Sequence, residues 1–389
     1  MDRTIRLALR PTAEQAAVLS ATVDQFTAAF NFVCRTGWDA DEKNGVRLHH
    51  ATYYETKAQC PDLVSDLLIQ ARVKAAEALR SAFDRRKKRR NVRCPQSAVC
   101  PPRYNHHTAT VRWDASGVRL STTAGRMTIP FVLPEHYAKY AGGRTLTADL
   151  IHRKGKWHLH VSVELPDPPI PAENGPATGV DLGLCRPAVT SGNRFFGRRQ
   201  WRGVEARYFR LRRGLQRKGT RSAKRHLRRL AGKVNRFRRD CDHVLSRRIV
   251  DSVEAGTVIV VENLTHIRAR VKQRGRESRR RLHSWSFAQL RGFLEYKAQE
   301  IGCAVVGIDP RHTSQRCSHC GYTARNNRRS QSDFTCRSCG FRLNADLNGA
   351  RNIAWKYLAG VATRDSGGPS STGLMSSDPA GQAARFSGR

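Results

Sequence analysis

The sequence predicts a multidomain α+β protein: an N-terminal β-barrel with an inserted helical segment, then a C-terminal α/β domain interrupted by a cysteine-rich insert. Three observations predict it. Two helical stretches occupy about half of the first hundred residues, and short alternating strands follow up to residue 166. The Pro-rich run Pro166-Asp-Pro-Pro-Ile-Pro171 then breaks the chain. Beyond it, apolar strand runs alternate with helical stretches, the pattern of an α/β layer.

The elements follow in order. Ile5, Leu7 and Leu9 alternate with polar residues, which predicts a first strand over 3–9. Thr12 and Gln15 form a capping box. The helix they start runs to about Cys34, with Leu19, Val23, Phe26 and Phe30 on its buried stripe. A second helix is expected from Asp62 to Lys88, ending in the basic run Arg85, Arg86, Lys87, Lys88, Arg89 and Arg90 with no compensating acid beside it. Strands are expected at 110–113, 117–121, 127–129 and 157–163. Thr178-Gly-Val-Asp-Leu-Gly183 begins a strand, with a hairpin through Ser191-Gly-Asn193. Residues 200–252 read as helical and very basic, and 257–264 as a buried central strand. A helix near 287–301, a strand at 304–308 and a last helix from Ala345 to about Leu358 complete the pattern. The Gly/Ser/Pro/Ala-rich stretch from 362 reads as disordered.

Charge narrows the function. With 70 Lys+Arg against 32 Asp+Glu, the net charge is +38 and the pI about 11. Self-repulsion on that scale calls for a polyanion. No run of about 18 consecutive apolar residues marks a membrane span, and the start lacks a signal-peptide core. A membrane protein is thereby disfavoured, and nucleic acid is the expected partner. The run at 85–90 is a candidate phosphate contact, as are Arg225, Arg228, Arg229, Lys233 and Arg236 in the basic helical region around 207–239.

Eleven mostly scattered cysteines fit a reducing, cytoplasmic setting. Four of them form a pattern: Cys317-Ser-His-Cys320, a fifteen-residue gap, then Cys336-Arg-Ser-Cys339. Each C-x2-C pair sets two thiolates on one turn, and two turns complete a tetrahedron for one structural Zn²⁺. Gly321 and Gly340 supply the permissive backbone just after each pair, and His319 is expected to be exposed rather than a ligand. Cys94 and Cys100, with His106 and His107 nearby, match no common ligand spacing.

Three acids carry the chemistry. Asp181 faces away from Val180 and Leu182, between Gly179 and Gly183, which are expected to leave room for a phosphate and a hydrated ion. Glu262 ends an aliphatic run, where a carboxylate is costly to bury unless paired or metal-bound. Asp346 lies inside a helix start capped by Asn344, above a stripe of Leu347, Ala350, Ala354 and Leu358. Each alone could be a turn cap, an arginine partner or a first-turn acid. Together, at a first strand, a central strand and a closing helix, they predict an RNase H-like catalytic centre for two Mg²⁺ ions cutting phosphodiesters.

The motifs around these residues resemble the TnpB family. They are Ile5-x-Leu-x-Leu-x-Pro-Thr-x-x-Gln15, Gly179-Val-Asp-Leu-Gly183, Val261-Glu-Asn-Leu264, Ser284-Trp-Ser-Phe with Leu294-Glu-Tyr-Lys-Ala298, Thr313 to Gly321, Cys336 to Gly340 and Asn344 to Ile353. The resemblance implies a wedge-like barrel (1–10 and 103–166), a helical recognition domain (11–102) and a linker (167–175). It further implies a RuvC nuclease domain (176–312 and 341–361), a zinc-binding insert (313–340) and a tail (362–389). It implies a guide RNA, a short motif beside a double-stranded DNA target, and cutting by Asp181, Glu262 and Asp346 in a prokaryotic cytoplasm, by a monomer. One departure is Asn344-Ala-Asp346, where a charged residue more usually precedes the Asp. Rival readings are a compact type V CRISPR effector, a nuclease-independent RNA-guided regulator and a strand-joining transposase.

Overall fold

The computed structural model describes residues 1–88, 91–169, 171–172, 175–183, 186–265, 275, 280 and 286–365. Arg89, Arg90, the Ser284–Trp285 half of one motif and the stretch beyond 365 fall outside them. The chain divides into two compact units at Asp167/Pro168, inside the Pro-rich run.

In the first unit, seven antiparallel strands form one sheet: β1 (Asp2–Leu9), β2 (Arg103–Tyr104), β3 (Ala109–Arg112), β4 (Gly117–Thr122), β5 (Gly125–Val132), β6 (Arg144–Arg153) and β7 (Lys156–Glu164). Their order is β2-β6-β7-β1-β5-β4-β3. β1 lies at the centre, paired with β7 from Asp2↔Glu164 to Ala8↔His158, so Ile5, Leu7 and Leu9 all point into the core. The expected barrel is not closed by strand pairing. The end strands β2 and β3 are short and are joined by the Asn105–Thr108 turn, where Thr108 N donates to the Asn105 carbonyl at 3.1 Å. β6 has no counterpart among the sequence-predicted strands.

Three helices pack in the same unit: α1 (Ala13–Asp39), α2 (Gly45–Gln59) and α3 (Ser65–Lys88). Thr12 Oγ1 accepts from Gln15 N at 3.2 Å and Gln15 Oε1 from Thr12 N at 3.1 Å, completing the capping box. α1 passes beyond Cys34 because Gly37 permits a close crossing: a Cβ there would lie 2.5 Å from Leu79 Cδ1. α1 alone among the described helices is long and apolar enough to cross a membrane by length and composition, yet Leu19, Val23, Phe26 and Phe30 are buried in this unit's core. Each such side chain stabilises by about 1.5–3 kcal/mol when fully buried. α2 went unpredicted because its buried stripe is only Leu48, Thr52 and Thr56, and both threonines satisfy their hydroxyls on backbone carbonyls. Helices and sheet share one continuous core rather than two.

The second unit is an α/β layer. β8 (Ala177–Asp181), β9 (Ala188–Thr190), β10 (Phe195–Phe196), β11 (Val258–Glu262) and β12 (Ala304–Ile308) form a sheet of order β10-β9-β8-β11-β12. β8, β11 and β12 run parallel, whereas β9 and β10 turn back antiparallel. The basic stretch is two helices, α4 (Arg199–Lys218) and α5 (Arg221–Val250), not one. Gly219 in the left-handed region (φ 65°) ends α4, and Thr220 Oγ1 caps α5 by accepting from Ala223 N at 3.1 Å. Then come α6 (Phe287–Glu300) after β11, the hairpin β13 (Asp333–Thr335) and β14 (Arg342–Asn344), and α7 (Ala345–Asp365). α7 continues past residue 361, so 362–365 are helical.

The sheet buries both faces, so β11 reads as an unbroken aliphatic run. Ile259 and Val261 join Val180, Leu182, Leu245, Ile249, Leu290 and Leu294 on the α5/α6 face. Val258 and Val260 join Ile353, Tyr357 and Val361 on the α7 face. The α7 stripe therefore holds Leu347, Ala350, Ile353, Ala354, Tyr357 and Val361. Leu358, expected in it, is 44% exposed, because the true stripe follows 353/357/361.

Candidate active site and cysteine cluster

Strand alternation aims the acids. With Val180 and Leu182 on the α5/α6 face, Gly179 and Asp181 must face α7. With Val258 and Val260 on the α7 face, Glu262 follows them there. β8 and β11 are in parallel register with Val180 beside Val261, and one further residue sets Asp181 beside Glu262. α7 completes the group. Asn344 Oδ1 accepts from Asp346 N at 3.1 Å and Leu347 N at 3.2 Å, capping the helix with Asp346 in its first turn.

The three carboxylates share a field. Burial, then the charges of Glu262 and Asp346, push the Asp181 carboxyl up to about 8 against the pull of the Arg328 guanidinium. Burial also raises Glu262, opposed by the hydroxyl of Thr313, which donates to Oε1 at 2.6 Å. Asp346, raised by burial, holds Arg328 Nη2 at 3.1 Å, with Arg186 Nε 4.0 Å away. Two arginines thus face one acid while Asp181 has no cation in bonding contact among the described residues. Such a set of hard oxygen donors, carrying excess negative charge, fits divalent cations such as Mg²⁺.

The glycines beside Asp181 have a different role from the expected one. A Cβ on Gly179 would lie 2.1 Å from the Ala350 carbonyl oxygen and 2.5 Å from Ala354 N. The missing side chain is filled by α7 backbone, not by ligand space. At Gly183 the obstacle is the Arg186 carbonyl, at 2.7 Å, so this glycine serves the turn. The residue that does crowd Asp181 is Gly349, where a Cβ would lie 3.2 Å from Oδ2.

The four cysteines converge. Their sulfurs all lie within 4.8 Å of one another, with Cys317–Cys339 at 3.9 Å and Cys320–Cys336 at 3.5 Å. The two turns repeat one pattern: Gly321 N donates to the Cys317 carbonyl and Gly340 N to the Cys336 carbonyl, at 3.0 and 3.1 Å, with φ of 81° and 72° at the glycines. His319 is exposed and stacks on Phe341 with centroids 5.2 Å apart, outside the cluster. Cys94 and Cys100 belong to no such group among the described residues.

Sequence reasoning missed the clamp between insert and site. Asn348 and Asn352 are four residues apart on α7 and both fully buried. Asn348 Nδ2 donates to the Arg316 carbonyl at 2.8 Å while its Oδ1 accepts from Ser318 N at 3.0 Å. Asn352 Nδ2 donates to the carbonyls of Thr313 and Arg316, at 2.9 and 2.6 Å. The clamped loop starts at Thr313, which holds Glu262. Buried Asn327 ties the insert internally, and its neighbour Arg328 reaches Asp346. Paired Asn at helical spacing beneath an acid was the available signal.

The basic residues divide between the units. Arg85, Arg86, Lys87 and Lys88 form the exposed last turn of α3. Arg86 is compensated after all: it pairs with Asp41 and lies over the rings of Trp38 and Phe83, at 5.1 and 4.5 Å. Arg225, Arg228, Arg229, Lys233 and Arg236 are exposed on α5.

Residues 160–268 match the family described as OrfB_IS605, "Probable transposase", and 287–353 match the "Cas12f1-like, TNB domain". Relatives include a TnpB-like protein of Methanocaldococcus jannaschii, 31% identical over 32% of this chain and 44% of that protein. Over these segments the chain is similar to TnpB-like proteins. Another relative is "CRISPR-associated endodeoxyribonuclease Cas12f1" of Sulfoacidibacillus thermotolerans, 34% identical over 53% of this chain and 52% of that one. A third is "Putative RNA-guided DNA endonuclease InsQ" of Escherichia coli (strain K12), 30% identical over 61% and 63%. The chain thus spans about half the length of the curated relatives it matches. Among solved structures, CasPhi-2 (Cas12j) bound to crRNA matches at a TM-score of 0.51 and 10% identity, covering 92% of this chain and 98% of that one. This likeness shows a shared multidomain α+β fold.

Proposed function

We propose that this chain is an RNA-guided DNA endonuclease, cutting target DNA beside a short motif with Asp181, Glu262 and Asp346. The convergence of those three acids where α7 meets one sheet face, with Asp181 raised by burial and by the charges of Glu262 and Asp346, carries the reading. The names of its relatives support the substrate and the guide. Bound Mg²⁺ would be held by the three carboxylates and would supply an activated water and a stabilised leaving oxygen. The chain's own part is positional. β8 and β11 set Asp181 and Glu262 in register, Thr313 fixes the Glu262 carboxylate through its hydroxyl, and the Asn344 cap fixes Asp346. Aspartate serves at 181 better than asparagine, because the carboxylate brings a negative charge and a second oxygen that the amide lacks.

The Cys317/Cys320/Cys336/Cys339 cluster would hold one Zn²⁺ in a structural role: four thiolates fill a tetrahedron and leave no open position. Exposed arginines of α5, with Arg85, Lys87 and Lys88 on α3, would meet nucleic-acid backbone, which A-form recognition requires in number. The test is to sequence RNA that co-purifies with the protein, then offer plasmids carrying the matching target and randomised flanks with Mg²⁺. Cleavage dependent on that RNA, lost in Asp181→Ala and Glu262→Ala, is expected. Absence of a discrete RNA, or cutting by those variants, overturns the proposal.

A further inference from the structure

The first unit contains a cleft of about 660 Å³ that the acidic centre does not use. It lies where the end of β1 and the β6–β7 hairpin meet the start of α1. Its walls include Arg6, Arg10, Lys156, His152, His158 and Trp157. The lip opposite is Pro11-Thr12-Ala13, the N-terminus of a 27-residue helix, followed by Ala16, Ala17 and Ser20 on the face turned to the cleft. No carboxylate lines the space, and Glu14 in the same helical turn stays outside it.

Its charge is uncompensated. Arg6, Arg10 and Lys156 have no carboxylate partner among the described residues. Arg6 instead donates from Nη2 to His158 Nε2 at 3.0 Å, which leaves that imidazole neutral and the guanidinium charge free for an anion. The start of α1 adds its partial positive charge. The cleft also has a flat element. His152 is exposed and stacks on buried Trp157, with centroids 4.3 Å apart and 18° between planes, so its outer face is open. Small alanines along α1 keep the opposite wall shallow. A site that combines clustered cations, a helix N-terminus and an open ring suits a phosphate with a base attached. The volume is ample for one nucleotide.

We infer that this cleft binds one nucleotide of a nucleic-acid strand, its phosphate against Arg6, Arg10 and Lys156 and its base on the outer face of His152. The inference rests on the reading that the chain works on nucleic acid, and makes this cleft a gripping point separate from the cutting centre.

The test compares the full chain with Arg10→Ala/Lys156→Ala and with His152→Ala, all exposed positions, after thermal melts establish equal folding. Affinity for a labelled single-stranded RNA and a single-stranded DNA of one sequence is measured across salt concentration. The double variant should lower the log–log salt slope by up to about 0.7, the share of one lost phosphate contact. His152→Ala should weaken binding roughly 5- to 150-fold with the slope preserved, as for one lost stacked base. Thiouridine or thiothymidine probes should cross-link to the peptide spanning 152–158, and the probe that does so identifies the strand. Unchanged slopes, or cross-links only at other peptides, overturn the cleft assignment. Failure of the unmodified protein to bind either probe would overturn the nucleic-acid reading itself.

Discussion

Gly179→Ala tests whether the acidic centre depends on how closely α7 rests on β8. The added Cβ would sit 2.1 Å from the Ala350 carbonyl oxygen, whereas ordinary contact begins at 3.4 Å, so the helix must retreat by more than 1 Å. The obstacle is backbone on both sides, and no rotamer relieves it. Overpacking of this kind costs about 1–3 kcal/mol. At about 2–4 °C per kcal/mol for a unit of this size, the melting temperature should fall by roughly 2–12 °C. The retreat also carries Asp346 away from Asp181 and Glu262. A misplacement of about 1 Å in a reacting constellation lowers rate on the order of 100-fold. Guided plasmid cleavage at saturating Mg²⁺, below the melting point, should show that loss although no carboxylate has been altered. Gly349→Ala, needing only a few tenths of an ångström from Asp181, should lower the rate less and barely move the melt. A Gly179→Ala protein that melts and cuts like its parent would refute the argument.

Thr313→Val removes the hydroxyl that orients Glu262 while keeping its shape. It should raise the Mg²⁺ concentration for half-maximal cleavage several-fold and leave the zinc content at one ion, and an unchanged Mg²⁺ titration would count against the assignment. Chelating zinc, or Cys317→Ser, should release the insert and, through the Asn348/Asn352 clamp, loosen the loop at Thr313, so cleavage falls together with zinc content. Full zinc in Cys317→Ser would contradict it. Lys297 on α6 is buried, and its amine donates to the His243 carbonyl and Ser246 Oγ, each at 2.7 Å. Burial lowers its pKa to about 8, below the free value of 10.5. Between those values the unfolded chain holds more protons, so this group adds stability as pH rises from about 8 to 10.5 and adds none below 8. Urea titrations of Lys297→Met against the parent at pH 7.5, 9 and 10 should show that rise flattened; parallel curves would dismiss it.

What was legible in the sequence followed from local patterning. The capping box at Thr12, the alternation around Asp181, the aliphatic run before Glu262 and the C-x2-C turns each state their geometry within a few residues. What was not legible depended on partners distant in the chain. Gly179 read as ligand space because its true neighbour, Ala350, lies far along the sequence and only packing brings it near. α2 was hidden because its buried face uses threonines whose hydroxyls bond their own helix. β6 was missed, and the barrel was expected to close, because strand pairing is set by register across the sheet rather than by any one strand. Arg86 seemed unpaired until the chain reversal after α1 brought Asp41 to it. The Asn348/Asn352 clamp was visible as spacing, yet without the loop it grips, two asparagines on a helix have no evident task.

The location of Asp346 on the last described helix has a consequence for timing. Asp181 and Glu262 emerge from the ribosome well before it, and 165 residues separate the first acid from the last. At about 5–20 residues per second, that gap lasts roughly 8–33 seconds. Within it the remaining strands of the sheet are made in turn, and until its end the sheet face lacks both α7 and the closing acid, so a nascent chain has no complete set of the three carboxylates. Under the proposed reading, the centre stays incomplete during synthesis, and a chain broken off before residue 346 lacks one of its three acids.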